Sequence, residues 1–135
     1  MGLKESLNLN KLDCLSFIIA AVCHDLGHDG YNNSYHVNAT TPRAIDSNDV
    51  SVQESFHAAE LFRILRNDSS NFTEKLSHEE YKIFRKRVLG CILATDMAKH
   101  AADLSHLKTL LVDYEIKDGQ NVNKLIEAES DAQNF

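Results

Sequence analysis

Residues that break helices and form turns are scarce in this sequence. A single proline, Pro42, and five glycines occur in 135 residues, and a β-sandwich or β-barrel would need more turn residues than that. The longest apolar run, Leu15 to Cys23, is far shorter than the roughly 20 residues needed to cross a bilayer. The sequence therefore predicts an all-α fold and no membrane segment in this chain.

Cysteines and basic residues are also few. Cys14, Cys23 and Cys91 are too scattered for a disulfide framework or a zinc cluster, so we predict buried free thiols. Lys and Arg number 14 against 20 Asp and Glu, a net charge of −6, which argues against a nucleic-acid-binding module with its basic patch. No signal peptide is recognisable, and with the unpaired cysteines this predicts an intracellular, cytoplasmic location.

Apolar residues recur at spacings of three and four in four segments, as is typical of helices. The first segment is apolar on nearly all sides, so we expect it to be buried in a core. Residues 31–50 are polar and predict a long loop with a possible short helix over 33–37, and residues 116–135 form a poorly defined polar tail. The four predicted helices are Asn10–Cys23, Ser51–Leu65, Ser77 to about His100, and about Asp103 to Tyr114.

Two of these helices begin with the pattern of a capping box, in which a serine and a glutamate three residues later bond each other's backbone. Ser51 and Glu54 form the first pattern, and Ser77 and Glu80 form the second. Both patterns predict where a helix begins.

The segment after the first helix, His24-Asp25-Leu26-Gly27-His28-Asp29-Gly30, contains the clearest chemical signal. Imidazole and carboxylate groups are good ligands for Zn²⁺ or Mn²⁺, and a carboxylate also suits Mg²⁺. A carboxylate can bridge two ions that activate water for attack on phosphorus. The alternative is a helix end whose histidines interact with the helix dipole, and the spacing alone leaves both interpretations open.

A zinc-protease motif is a further alternative. His24 and His28 have the spacing of H-E-x-x-H, with Asp25 in place of the glutamate. That motif needs one continuous helix, and Gly27 between the histidines argues against it.

The same segment, read through to Asn33, resembles the H-D-x-x-H-x-G-x-x-N signature of class I 3′,5′-cyclic nucleotide phosphodiesterases, which are HD-type metal-dependent phosphohydrolases. Two more segments follow in the family's order. Residues 48–57 are similar to its Y-N-D-x-S-V-L-E-x-x-H stretch, and residues 93–100 resemble its L-A-T-D-M-x-x-H segment. The resemblance covers most of the chain and implies a multi-helix catalytic domain whose motif-bearing part is about residues 10–115.

The resemblance implies a role for each matching residue. His24 and Asp25 are the implied ligands of a tighter-binding ion, usually zinc, with Asp25 shared with a second ion, magnesium or manganese. The implied reaction is attack of a hydroxide between the two ions on the cyclic phosphate of cAMP or cGMP, which gives a 5′-nucleotide. The other implied residues are His28, Glu54 and Thr95 for water around the second ion, and Asn33, His57 and Asp96 for the substrate pocket.

Each of these residues also has a purely structural alternative. Glu54 can act only as a capping partner, and the hydroxyl of Thr95 can bond within its own helix. Asp96 can form a solvated pair with Lys99, and His57 can be an ordinary core histidine. The ordered motifs favour the site interpretation.

Several departures from the family pattern predict that residues 1–135 form only part of the domain. No histidine precedes His24, although the family has two there, and no H-x-x-D-x-S motif follows His100. Two of four ligands of the tighter ion are therefore present, and we expect flanking parts of the domain to complete the site. Asp29 and Phe56 stand where proline and histidine are frequent.

Two other functions are considered. The first is a non-catalytic helical fragment that acts, if at all, through partners. The second is a different metal-dependent phosphohydrolase, against which the segment from Thr95 to His100 argues.

Overall fold

The computed structural model describes residues 7–113, and over these residues it consists of α-helices joined by turns, with no strand. The all-α prediction is therefore confirmed. The predicted tail over residues 116–135 and the predicted helix end at Tyr114 lie outside the described residues. The helices are α1 (Lys11–Cys23), α2 (Asn33–Asn38), α3 (Pro42–Asp46), α4 (Val52–Ile64), α5 (His78–Leu93) and α6 (His100–Asp113).

The chain divides into two compact units. One comprises residues 11–97 and contains α1 to α5 together with every predicted site residue. The other comprises residues 1–10 and 98–135, and its described helix is α6.

The core of the first unit is formed by α1, α4 and α5. Two aromatic rings, Phe62 and Phe84, meet edge to face with centroids 6.5 Å apart. An ion pair of 2.7 Å between Arg87 Nη2 and Asp13 Oδ1 joins α5 to α1 beside them. The buried core residues are Ala20, Ala58, Leu61, Phe62, Leu65, Phe84, Val88 and Ile92.

Helix α1 is less buried than its apolar sequence predicts. Its fully buried residues are the small or polar Asp13, Ser16 and Ala20, whereas Ile18 is 61% and Val22 75% exposed. Within the residues that the structure describes, only one face of α1 packs against the rest of its unit, so this chain alone does not bury the helix on nearly all sides. No helix among the described residues is long and apolar enough to span a membrane.

The three cysteines are free thiols, as predicted, but each is half-buried and not fully buried. Burial raises the pKa of the thiols of Cys23 and Cys91. Both side chains pack against the edge of the core.

Helix α5 begins as predicted and ends earlier than predicted. The Ser77 and Glu80 capping box is present, with Ser77 N–H donating 2.8 Å to Glu80 Oε2 and Glu80 N–H donating 3.3 Å to Ser77 Oγ. The helix ends at Leu93 because Thr95 donates to the Ile92 carbonyl from both its N–H, at 3.1 Å, and its Oγ1, at 2.7 Å. The chain then turns, and α6 begins at His100.

The predicted loop over residues 31–50 contains two short helices. The first, α2, is the short helix predicted from the sequence, and Asn32 caps it by accepting 2.8 Å from Tyr35 N–H. The second, α3, departs from the predicted loop, because Pro42 stands in the first turn of a helix. Proline is tolerated in the first turn of a helix, and Thr41 caps α3 by accepting from Ala44 N–H.

Candidate metal centre

The predicted metal-binding segment forms a turn directly after α1. Leu26 N–H donates to the Cys23 carbonyl and His28 N–H to the Asp25 carbonyl, both at 3.1 Å. Gly27 adopts φ +72°, which L side chains rarely adopt. Because the helix stops at Cys23, the two histidines do not share one helix face, and the zinc-protease alternative is excluded.

His24 and Asp25 face each other at the start of this turn. His24 Nδ1 is 2.9 Å from the Ala21 carbonyl, to which it donates, so its Nε2 offers a lone pair. That Nε2 lies 3.1 Å from Asp25 Oδ2. This distance fits either an ion pair with a proton on Nε2 or two neighbouring ligands of one metal cation.

A second group of ligands forms on the other side of Asp25. One ligand atom from each of Asp25, His28 and His57 lies within 4.8 Å of the others. His57 Nε2 is 3.9 Å from Asp25 Oδ1, and the rings of His28 and His57 stack with centroids 5.5 Å apart. Asp25 therefore has an imidazole on each side, one facing each oxygen, as a bridging carboxylate requires.

The hydrogen bonds of the two stacked histidines fix what each offers to this group. His57 Nδ1 donates 2.8 Å to the Leu26 carbonyl, which leaves Nε2 as an acceptor or ligand. His28 Nδ1 accepts 2.9 Å from Gly30 N–H, so neutral His28 carries its proton on Nε2. His57 is thus suited to bind a cation, and His28 is suited to donate to a water or a phosphoryl oxygen.

Burial controls the charge of His57. This side chain is 1% exposed, and burial lowers its pKa below the ordinary value of 6.5, opposed in part by the hydrogen bond to Leu26 and the charge of Asp25. A neutral imidazole is the form that can bind a metal. The sequence placed His57 in the substrate pocket, whereas the structure groups it with Asp25 and His28.

Glu54 bonds Asn33, whereas the sequence predicts a capping box between Glu54 and Ser51. Asn33 Nδ2 donates 2.9 Å to Glu54 Oε2, and Asn33 Oδ1 accepts 2.8 Å from Gln53 N–H. The predicted capping box at the start of α4 is wrong, because Ser51 adopts the left-handed conformation and makes no side-chain cap. Asn33 therefore orients Glu54, and its predicted contact with substrate stays a prediction.

Thr95 and Asp96 lie at the end of α5. Besides bonding Ile92, Thr95 lines an open groove of about 320 Å³ together with His24, Phe17, Ala20, Ala21 and Cys91. Asp96 is buried and accepts 2.8 Å from Ser51 Oγ, so its structural partner is the first residue of the α4 segment. The predicted roles of both residues in catalysis and substrate binding stay predictions.

No sequence motif indicates the polar network that Asp29 forms with Gln53 and Arg43. Asp29 accepts 2.7 Å from Gln53 Nε2 and pairs with Arg43 Nη1 at 3.1 Å. Although burial opposes ionisation, the hydrogen bonds from Gln53 and the Tyr31 backbone and the charge of Arg43 hold the pKa of Asp29 at about 2. An arginine in a polar loop matches no motif, so the network could not be found from spacing.

Comparison with known proteins identifies relatives along nearly the whole chain. The 3'5'-cyclic nucleotide phosphodiesterase family model matches residues 2–133. Over 92 residues the chain is 46% identical to the 3',5'-cyclic-nucleotide phosphodiesterase regA of Dictyostelium discoideum, and this alignment covers 68% of this chain and 12% of regA. Over 116 residues it is 35% identical to the high affinity cGMP-specific 3',5'-cyclic phosphodiesterase 9A of Homo sapiens, and this alignment covers 86% of this chain and 20% of that protein.

A solved structure has the same fold. The phosphodiesterase domain of the RhoPDE fusion protein from Salpingoeca rosetta superposes with a TM-score of 0.79 at 32% sequence identity, and the match covers 91% of this chain and 40% of that one. The chain therefore spans less than half of the length of the relatives it matches. The three ordered motifs, the helical fold and the family match agree, and this chain belongs to the 3'5'-cyclic nucleotide phosphodiesterase family.

Proposed function

We propose that this chain is the central, metal-binding part of a catalytic domain that hydrolyses 3′,5′-cyclic nucleotides, cAMP or cGMP, to 5′-nucleotides. The observation that supports this most directly is the position of Asp25, whose two oxygens face His24 on one side and His57 on the other. Membership of the family implies dependence on divalent metal ions, and the donors in this group suit such ions. We propose zinc for the ion bound by His24 and Asp25, and magnesium or manganese for the second.

Divalent ions at this position would lower the pKa of water and offset negative charge on the phosphoryl group. His24 and His57 each use Nδ1 to bond a backbone carbonyl, and this directs their Nε2 atoms towards Asp25. The ring of His28 lies in the same group, and its Nε2–H is free of the bond that Nδ1 makes to Gly30 N–H, so it can donate to a phosphoryl oxygen or a water. Glu54, oriented by Asn33, supplies an acceptor close to His57.

We propose that further parts of the domain cover the exposed face of α1 and complete the ligand set. Phe17, Ile18 and Val22 are 43%, 61% and 75% exposed, which is an apolar stripe larger than single scattered residues. The match to the solved domain covers 40% of that domain, so segments that could cover the stripe exist in the relative. A cytoplasmic location is part of the proposal and is supported by the three free thiols.

The decisive experiment removes Asp25 from the longer protein that contains residues 1–135. Asp25→Ala should abolish hydrolysis of cAMP and cGMP and also lower the bound metal measured by elemental analysis, because both ions share this carboxylate. The matched control is Asp68→Ala, which removes an exposed carboxylate in the turn after α4. Hydrolysis that is unchanged in Asp25→Ala would reject the proposed bridging role.

The isolated chain provides a second test. Residues 1–135 alone should show little or no turnover with added Zn²⁺ and Mg²⁺, because catalytic zinc sites usually have three or more protein ligands. Robust turnover would show that the ligand set within this chain is complete.

A further inference from the structure

Arg43 makes an unusual set of contacts for a residue outside the three motifs. Its side chain is only 20% exposed although it lies on the short helix α3. Nη2 donates 3.2 Å to the Gly27 carbonyl, and Nη1 donates 2.6 Å to Gln53 Oε1 and pairs with Asp29 Oδ2 at 3.1 Å. The guanidinium also stacks on Phe56, 3.5 Å from the ring centroid.

These contacts converge on the turn that contains the proposed metal ligands. Gly27 and Asp29 flank His28, so Arg43 holds the backbone before this histidine and the side chain after it. The Phe56 ring closes the same turn from α4, since a Cβ at Gly27 would lie 3.1 Å from Phe56 Cε1. Arg43 therefore holds the turn directly at two points, the Gly27 carbonyl and Asp29, and the Phe56 ring on which it stacks closes the turn at Gly27.

The position of Arg43 is itself fixed. Thr41 caps α3, and its Oγ1 lies 2.9 Å from His36 Nδ1, while His36 Nε2 reaches Asp29 Oδ1 at 3.4 Å. Pro42 sets the backbone in the first turn of the helix. A rigid helix start supports the guanidinium, as an orienting group requires.

The residues that contact Arg43 coincide with departures from the family pattern. Asp29 and Phe56 stand where proline and histidine are frequent, and Gln53 stands at the leucine of the L-E-x-x-H stretch. All three contact Arg43, although they lie in two different segments of the sequence. Departures that meet around one side chain indicate a single unit and not independent changes.

We propose that Arg43 is a positioning residue that holds the turn containing Asp25 and His28 in the geometry that binds metal. The proposal rests on the proposed function, because it assigns Arg43 a role in the same metal centre. Arg43 contacts neither Asp25 nor His28 in the described hydrogen bonds and ion pairs, and it acts through Gly27, Asp29 and Phe56. Groups that orient metal ligands in this way typically change metal affinity about 10–100-fold when they are removed.

The experiment compares Arg43→Leu with a matched control, Arg63→Leu, in the chain of residues 1–135. Arg43 and Arg63 both line a cleft of about 370 Å³ near Phe56. Within the part of the chain that the structure describes, Arg63 pairs only with Glu60, on its own helix. Cobalt(II) serves as the probe, because its absorption spectrum reports both affinity and coordination geometry. A second readout without metal is the amide hydrogen exchange of Leu26, His28 and Gly30.

The expected result is a loss of about 10–100-fold in cobalt affinity and an altered spectrum for Arg43→Leu, with Arg63→Leu like the wild type. Exchange of the three turn amides should be roughly tenfold faster in Arg43→Leu alone. Combining Arg43→Leu with Asp29→Asn should cost less than the sum of the two single changes, because both act in one network.

The proposal is overturned if Arg43→Leu keeps both affinity and exchange within about twofold of the wild type, or if Arg63→Leu changes them equally. If Arg43→Leu does not fold, Asp29→Asn is tested by the same cobalt and exchange measurements. This variant removes the charge that pairs with Arg43 at nearly constant side-chain volume. If residues 1–135 bind no cobalt, the ligands that lie outside this chain account for it, and cobalt affinity is then compared in the longer protein. Exchange in the metal-free chain of residues 1–135 still decides the role of Arg43.

Discussion

Replacing Ser51 tests what holds the start of α4, the helix that contains Glu54 and His57. Ser51 is 6% exposed, and its Oγ donates 2.8 Å to Asp96 Oδ2. Its backbone adopts φ 45° and ψ 54°, a left-handed conformation that costs a residue with a Cβ about 1–2 kcal/mol. Ser51→Ala removes the hydrogen bond and keeps this backbone cost, whereas Ser51→Gly removes both.

The two variants are expected to differ in a defined order. A hydrogen bond to a charged group contributes about 1.5–3 kcal/mol, so Ser51→Ala should lower the free energy of unfolding by about 2 kcal/mol. Ser51→Gly loses the same bond but relieves the left-handed backbone, so it should recover about 1 kcal/mol of this loss. The expected order of stability is wild type, then Ser51→Gly, then Ser51→Ala.

Urea unfolding of residues 1–135, with linear extrapolation to water, measures these differences. The control is Ser55→Ala, one turn further along α4, where Oγ makes a longer bond of 3.3 Å to the Val50 carbonyl. We expect this control to lie within about 0.5 kcal/mol of the wild type. If Ser51→Gly is less stable than Ser51→Ala, or if Ser51→Ala is as stable as the control, the reasoning about the left-handed backbone and the buried bond is wrong.

Three other changes test separate features. Burial holds the pKa of His57 below 6.5, so the folded protein binds this proton less readily than the unfolded chain does. The contribution of His57 to stability should be complete above about pH 6.5 and should be lost as the pH falls towards the lower folded-state pKa. His57→Gln should flatten this part of a stability profile measured by urea unfolding. Ser77→Ala removes the cap of α5 and should cost about 1 kcal/mol of unfolding free energy by the same assay, with no change if the cap is unimportant. Gly27→Ala places a Cβ at φ +72° and 3.1 Å from Phe56 Cε1. It should lower the free energy of unfolding by about 1–2 kcal/mol and also lower cobalt affinity. Unchanged values would contradict the tight turn.

Local sequence patterns predicted those parts of the fold that depend on neighbours in the chain. The capping box at Ser77 and Glu80 is confirmed, because both residues are exposed and no distant side chain in the described residues competes for either of them. The same pattern at Ser51 and Glu54 is wrong, because two distant side chains compete for it. Asp96, 45 residues away, takes the serine hydroxyl, and Asn33, 21 residues away, takes the glutamate.

In the candidate site, too, the sequence predicts contacts between neighbours in the chain and misses contacts between distant residues. The H-D-x-x-H motif contains Asp25 and His28, and the structure brings these two residues together because they lie in one turn. Their roles at a metal stay predictions. The assignment of His57 as a pocket residue could not reveal that its Nε2 faces Asp25, because this depends on Nδ1 bonding the Leu26 carbonyl 31 residues earlier. Motif spacing therefore indicates which residues lie together. The backbone group that binds one ring nitrogen of each histidine determines whether the other nitrogen is a donor or a metal ligand.

Departures from a motif are best interpreted together with their spatial partners. Taken singly, Asp29 in place of proline loosens the turn, and Gln53 in place of leucine puts an amide into a buried position, where an unpaired polar group is costly. In the structure the amide of Gln53 is fully used, since it donates to Asp29 and the Tyr31 carbonyl and accepts from Arg43. Gln53, Arg43 and Asp29 satisfy one another's polar groups, so a turn that proline would stiffen is held by charge and hydrogen bonds instead. Sequence departures that would each weaken the metal-binding turn are thus compatible with it as a set, and this is why the motif can tolerate them.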